Sequence, residues 1–387
     1  MSAVPQPVFE APVQEVAKSI DHRRIHWSRL VPILTLILVV IAFSFANDAF
    51  FTERNLTNLS RQVAVNCILA FGMTCIILLG AIDLSIGSLL ALGSVVGGLM
   101  QVNLNWNQAG LPGALITFAV VIAVCAAVGA FTGGMVAKFK MPPFVVSLGM
   151  FVIARGLALI FSGGSKISPL SDSYRWVGTS FVPPRESLIL ILFVAVVATS
   201  NLLIARGSRF LPKLALVWIA AAAAISVFYS YLGIPTPVLL MAASFLGIYF
   251  LLNRTTFGRF IYAIGGNPEA ARLCGIRVRL IYFLTFVLMG VLVALSAIIE
   301  GGRIDAGDPN AGNLYELDAI AAVVIGGTSL QGGVGTIGGT LLGAFLMGTM
   351  NNGMSLMNIP TNYQMVIKGM IIILAVLMDV VSKKTNR

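Results

Sequence analysis

The chain has 387 residues, 58% of them hydrophobic and only 10% charged, and a mean hydropathy of +0.94. Ordinary soluble domains hold roughly 45–50% apolar and about 25% charged residues, so the composition excludes that class and indicates a membrane protein. The net charge of +10 gives no reason to invoke nucleic acid, because polytopic membrane proteins carry surplus Lys and Arg on their cytoplasmic loops.

Residues 1–29 bear Glu10, Glu15, Lys18, Asp21, Arg23, Arg24 and Arg29 and read as a disordered cytoplasmic tail. Ser44-Phe45-Ala46 could mimic a signal-peptide cleavage site, but the tail is long and mixed in charge for an n-region, which favours an uncleaved first span.

Twelve apolar runs follow, at about 30–46, 63–80, 86–101, 112–136, 144–162, 187–204, 214–232, 237–252, 280–299, 318–327, 335–350 and 364–380. They reach or approach the roughly 20 residues a helix needs to cross a bilayer. None alternates like a membrane barrel strand. The expected fold is all-α, a polytopic transmembrane helical bundle of about 10–12 spans, some short or broken. A single transmembrane domain is expected over 30–380, with a short cytoplasmic C-terminal tail at 381–387.

If every run crosses from a cytoplasmic N-terminus, 17 basic residues fall on the cytoplasmic side, 6 on the exterior, and Arg155 and Lys368 inside spans, which accounts for all 25. That bias supports the threading, with both termini cytoplasmic. Cys67, Cys75, Cys125 and Cys274 have no C-x-x-C spacing and indicate neither a disulfide framework nor a metal site.

Two stretches look interrupted: "GAIDLSIGSLLALGSVVGG" at Gly80–Gly98 and "DAIAAVVIGGTSLQGGVGTIGGTLLGAF" at Asp318–Phe345. Non-helical backbone at membrane depth survives only where protein or a wet cavity surrounds it. Paired broken segments in two halves point to a translocation path. Small and weakly polar residues that could line such a path are Asn66, Ser88, Ser94, Thr328 and Ser329; Asp83, with Ser85 beside it, reads first as a cap of the next helix and second as a contact in the path. Glu316 and Asp318 are expected at an exterior entrance, while Arg155 and Lys368 either pair with carboxylates or snorkel.

The polar island Arg254–Arg279 sits between two spans. Asn267 is a good N-cap, Pro268 suits the first helical position, Glu269 complements the positive dipole end, and Gly275 can supply a left-handed stop. A helix of about two turns is expected there, too short to stand alone in water.

Glu269-Ala270-Ala271 followed by Gly275 forms E-A-A-x-x-x-G, which resembles the cytoplasmic coupling motif of permease subunits of ATP-binding-cassette importers. "AIDLSIGSLLAL" at Ala81–Leu92, "MPPFVVSLGMFVIARGLALI" at Met141–Ile160, "GIPTPVLL" at Gly233–Leu240 and "ELDAIAAVVIGGTSLQGGVGT" at Glu316–Thr336 look like the monosaccharide permeases of ribose, xylose, arabinose and galactose importers. An extra apolar pair at about 187–232 and "NNGMSLMNIPT" at Asn351–Thr361 are similar to the D-xylose branch. The broader importer motif carries a later Leu-Pro, absent from "IRVRLIYF" here, so docking details transfer less securely.

The resemblance implies a non-catalytic inner-membrane subunit that moves a monosaccharide, D-xylose foremost. Its implied partners are a second copy of itself, membrane lipid, a periplasmic sugar-binding protein and a separate ATPase subunit. Gly265, Gly266, Asn267, Pro268, Glu269, Ala270, Ala271 and Gly275 would build the ATPase contact. No G-x-x-x-x-G-K-[ST] phosphate loop occurs, so ATP would be used by the partner and no cofactor is expected on this chain. His22 and His26, the only histidines, lie in the tail and suggest no catalytic constellation. The rival reading is an ion-coupled secondary transporter, which would need titrating carboxylates within its spans; Asp83, Asp318 and Asp379 are the candidates.

Overall fold

The computed structural model describes residues 27–205 and 210–385. Most of the expected N-terminal tail, including His22 and His26, lies outside the described residues, as do Arg206, Arg209 and Arg387.

Each of the twelve apolar runs forms a helix. In chain order these are α1 (Trp27–Ala46), α2 (Glu53–Leu78), α3 (Ile86–Gly98), α4 (Gly110–Phe139), α5 (Pro143–Ser162), α7 (Pro184–Ala205), α8 (Phe210–Phe228), α9 (Thr236–Arg254), α12 (Val278–Ile304), α13 (Tyr315–Ile325), α14 (Ile337–Leu356) and α15 (Thr361–Thr385). Between them lie α6 (Asp172–Thr179), α10 (Thr256–Gly266) and α11 (Pro268–Leu273). A π-helical turn, Leu99–Asn103, prolongs α3. Strand β1 (Phe181–Val182) pairs antiparallel with β2 (Ile234–Pro235).

Cross-contacts sort the helix ends into two groups. Asn47 Nδ2 donates to the Leu356 carbonyl, Asn55 and Asn352 exchange amide hydrogen bonds of 2.9–3.0 Å, and β1 meets β2, all at one end. At the other end Ser147 Oγ donates to the Ile82 carbonyl, and Tyr262 Oη to the Gly335 carbonyl. The Tyr262 contact puts α10, and α11 that follows it, at the second end, beside the start of α14.

Among the described residues, seven helices are long and apolar enough to cross a membrane by themselves. Helix α13 is not: its 11 residues rise only about 16 Å. The missing depth is supplied by the strip before it. After α12 the chain turns back along α3, where Ser94 Oγ receives the Asp308 N–H at 3.2 Å and Arg155 Nη1 of α5 donates to the Pro309 and Ala311 carbonyls. Irregular backbone survives there because protein surrounds it and takes its hydrogen bonds.

Close packing sets the centre. A Cβ on Gly129 of α4 would overlap the Phe286 carbonyl of α12, and one on Gly290 would overlap the Cys125 carbonyl. Small residues let membrane helices approach backbone to backbone. Helix α2 runs through the middle, with 83% of its most apolar stretch buried, whereas α7 has 11% and pairs chiefly with α8 as an outer hairpin.

Candidate functional site

The polar island folds as its residue types dictate. Thr255 caps α10 by accepting the Gly258 N–H. Ile261 and Ile264 bury one side of that helix. Asn267 ends α10 and starts α11, its side-chain oxygen accepting the N–H groups of Glu269 at 3.1 Å and Ala270 at 3.0 Å. Pro268 occupies the first position, where its missing N–H costs nothing. Gly275 has φ +82° and stops the helix, and the Ile276 N–H returns to the Ala271 carbonyl at 3.1 Å.

Within this element the side chains divide. Ala271 is buried, while Pro268, Glu269, Ala270, Arg272, Leu273 and Cys274 are exposed. Leu273 is 81% exposed on a six-residue helix that needs support to persist. The Glu269–Arg272 pair at 3.0 Å lies in solvent and adds little. Gly266 is also exposed, but Gly265 is turned inward against Leu78 and Gly333, so it contacts the membrane domain.

The expected pathway residues fall into two sets. Asp83, Ser85 and Ser94 have partners: the Asp83 carboxylate accepts the Ser85 N–H at 2.9 Å and its hydroxyl at 2.6 Å, and Ser94 ties down the strip before α13. Asp83 thus closes the turn that leads into α3. Ser329 receives the Gln331 N–H at 3.2 Å and orders the loop between α13 and α14. In contrast, Asn66 Oδ1, Ser88 Oγ and Thr328 Oγ1 are buried without a hydrogen-bond partner in the protein. Leaving such atoms unpaired costs about 1–3 kcal/mol each, a cost that water or a passing hydroxyl would remove.

Two acids depart from their expected place. Glu316 and Asp318 are not at an exterior surface; both are buried, because the returning strip starts α13 inside the bundle. Asp318 pairs with Lys368 Nζ of α15 at 3.0 Å and with Asn351 Nδ2 of α14 at 2.9 Å. Arg155 neither snorkels nor pairs directly with a carboxylate, but holds backbone carbonyls. Asn55 with Asn352, and Tyr262 and Tyr282 at the opposite end, were not singled out by sequence; partners 297 residues apart leave no signal in local spacing.

A protein-family model described as "Branched-chain amino acid transport system / permease component" matches residues 55–376. The chain belongs to this permease family. It is 40% identical over 369 residues to the "Xylose transport system permease protein XylH" of Escherichia coli strain K12, covering 92% of each chain. It is 38% identical over 355 residues to the "Ribose import permease protein RbsC" of the same strain, covering 90% of this chain and 92% of that one. The ribose permease of Bacillus subtilis strain 168 is 37% identical over 364 residues, covering 93% and 96%. No solved structure matches the chain at a significant level.

As a permease the chain is a multi-pass membrane subunit without catalytic chemistry of its own. Its inventory fits that role: polar atoms lie along buried helices, and a capped polar helix projects from one end.

Proposed function

We propose that this permease is the translocating subunit of an ATP-driven monosaccharide importer in the inner membrane, with D-xylose as cargo and ribose as the second reading. The observation that carries the proposal is α11, a capped helix with Ala270 and Leu273 outward and Ala271 packed inward. An isolated six-residue helix is marginal in water, and a groove on a separate ATPase subunit would cover its outer face. ATP is bound and hydrolysed by that partner, and this chain holds no cofactor.

The end bearing α11 is cytoplasmic in this reading. Lys138, Lys140, Arg254, Arg259, Arg277 and Arg279 gather there, as the positive-inside rule requires. The opposite end, with Gly163–Glu186 and the strip before α13, receives a periplasmic sugar-binding protein. Two copies of the chain, in lipid, enclose one path.

Sugar is favoured because the similar permeases are named for xylose and ribose. The outer hairpin α7–α8 is the extra apolar pair that resembles the xylose branch, and it supports reading xylose before ribose. Asn66, Ser88 and Thr328 offer hydroxyl-compatible atoms without a charged grip. A path fed by a high-affinity receptor should hold its cargo loosely. Ion coupling is disfavoured at Asp318, whose charge Lys368 already neutralises at 3.0 Å.

The test is uptake of labelled xylose, with ribose, arabinose and galactose as competitors, in cells with and without the ATPase subunit. ATPase-dependent xylose uptake unaffected by the other sugars is the expected result. Suppression by ribose would move the cargo, and uptake without any ATPase would overturn the proposal.

A further inference from the structure

Three chain segments far apart in sequence converge just inside the coupling helix. Helix α10 ends in Gly265-Gly266, one residue before the Asn267 cap of α11. Helix α2 ends at Leu78-Leu79 and turns through Gly80 (φ +75°) into the irregular stretch that precedes α3. The loop between α13 and α14 contributes Gln331 to Gly335, with Gly332 and Gly333 at φ +88° and +72°.

These segments touch through backbone. The Gly333 N–H donates to the Leu78 carbonyl at 2.9 Å. A Cβ on Gly265 would overlap that same carbonyl and lie 2.5 Å from the Gly333 nitrogen, so no other residue fits without moving all three segments. Two tyrosines fasten the arrangement from outside: Tyr262 Oη of α10 donates to the Gly335 carbonyl at 3.0 Å, and Tyr282 Oη of α12 donates to the Leu79 carbonyl at 2.9 Å. From Gly80 the chain continues to Ile82, whose carbonyl accepts from Ser147 Oγ of α5.

We infer that this knot is the mechanical link between the coupling helix and both interrupted segments of the permease, and that Gly265 and Tyr262 are its positioning residues. The inference rests on the ATP-driven reading above and deepens it. Backbone groups in contact cannot slide past one another as long side chains can, since close-packed interiors transmit displacement. A shift of α11 therefore moves Gly265, and Gly265 moves the end of α2 and the loop carrying Thr328 together. One input at the ATPase contact thereby reaches Gly80–Ser85 and Gly326–Thr336 at once, the two stretches where the helices are broken.

The test uses the complete importer in proteoliposomes, with permease, ATPase subunit and sugar-binding protein, comparing wild type with Tyr262→Phe and Gly265→Ala. Basal ATP hydrolysis and assembly are measured beside sugar transported per ATP. Tyr262→Phe removes one hydroxyl, and transport per ATP should fall roughly 3- to 10-fold, the loss of one ordinary hydrogen bond, while assembly and basal hydrolysis stay unchanged. Gly265→Ala should fall further. If Gly265→Ala fails to assemble, Tyr262→Phe decides the matter. Wild-type transport per ATP in an assembled Tyr262→Phe complex would overturn the link while leaving the importer reading intact. Absence of ATP-dependent transport in the wild type would overturn both.

Discussion

Helix α2 and helix α7 are both apolar enough to cross a bilayer, yet 83% of the most apolar stretch of one is buried and 11% of the other. In α2, Thr74 shares a hydroxyl hydrogen bond with Thr340, Asn55 bonds Asn352, and Val63 lies against Gly348. In α7 the polar side chains Ser200 and Asn201 bond only their own helix, four residues back. Both segments are apolar enough for a bilayer, but small and polar residues attach α2 to neighbouring helices along its length, whereas α7 is tied down at its start, where Ser187 accepts the Ile234 N–H. Among lipid tails hydrophobicity gives helices no reason to associate, so attachment has to be read from Gly, Asn, Thr and buried charge.

That contrast can be broken most violently at the buried ion pair. Lys368→Met leaves the Asp318 charge facing Asn351 alone and should cost about 3–5 kcal/mol. A thermal melt of the detergent-purified permease should show a large drop, and the double variant Lys368→Met with Asp318→Asn should recover most of it. Gly290→Leu attacks the backbone contact of α12 with Cys125 and should cost about 1–3 kcal/mol or more through overpacking, visible as lower folded yield in membranes.

Smaller effects belong at the coupling end. Gly275→Val forces a β-branched residue into φ +82° at about 1–3 kcal/mol of local strain. Because the site is exposed, uptake should fall several-fold at unchanged permease level, by blot and transport assay together. Asn267→Ala removes a cap that serves two N–H groups and should cost about 1 kcal/mol, with a milder loss of uptake. Smallest of all, Ile189→Ala on the outer hairpin, 67% exposed, should shift stability by less than about 0.5 kcal/mol in the same melt. A destabilisation there as large as that of Gly290→Leu would remove the distinction between the two regions.

Much of this was legible in sequence for local reasons. The α11 helix follows from Asn267, Pro268, Glu269 and Gly275, each acting within four residues, and its caps form as those residue types require. The twelve apolar runs became twelve helices for the same reason. What sequence left open is non-local. Alternating spans put Glu316 and Asp318 at an exterior entrance, whereas the strip before α13 returns along α3 and carries them inside. Gly265 looks like part of an exposed glycine pair until the end of α2 comes to lie against it. Of the expected pathway residues, Asp83, Ser85 and Ser94 carry polar types that serve turns and backbone, and type alone could not separate them from Ser88 and Thr328.

Helix α11 is the surface proposed to meet the ATPase, and one native residue can interrogate it. Cys274 at the end of α11 is exposed, while Cys67, Cys75 and Cys125 are buried. A short bifunctional thiol reagent attached to Cys274 in the assembled, ATP-hydrolysing complex should cross-link the permease to the ATPase subunit, and Cys274→Ser should abolish the product. A complex that transports with ATP yet yields no such cross-link, while Cys274 remains fully labelled, would contradict the assignment of α11.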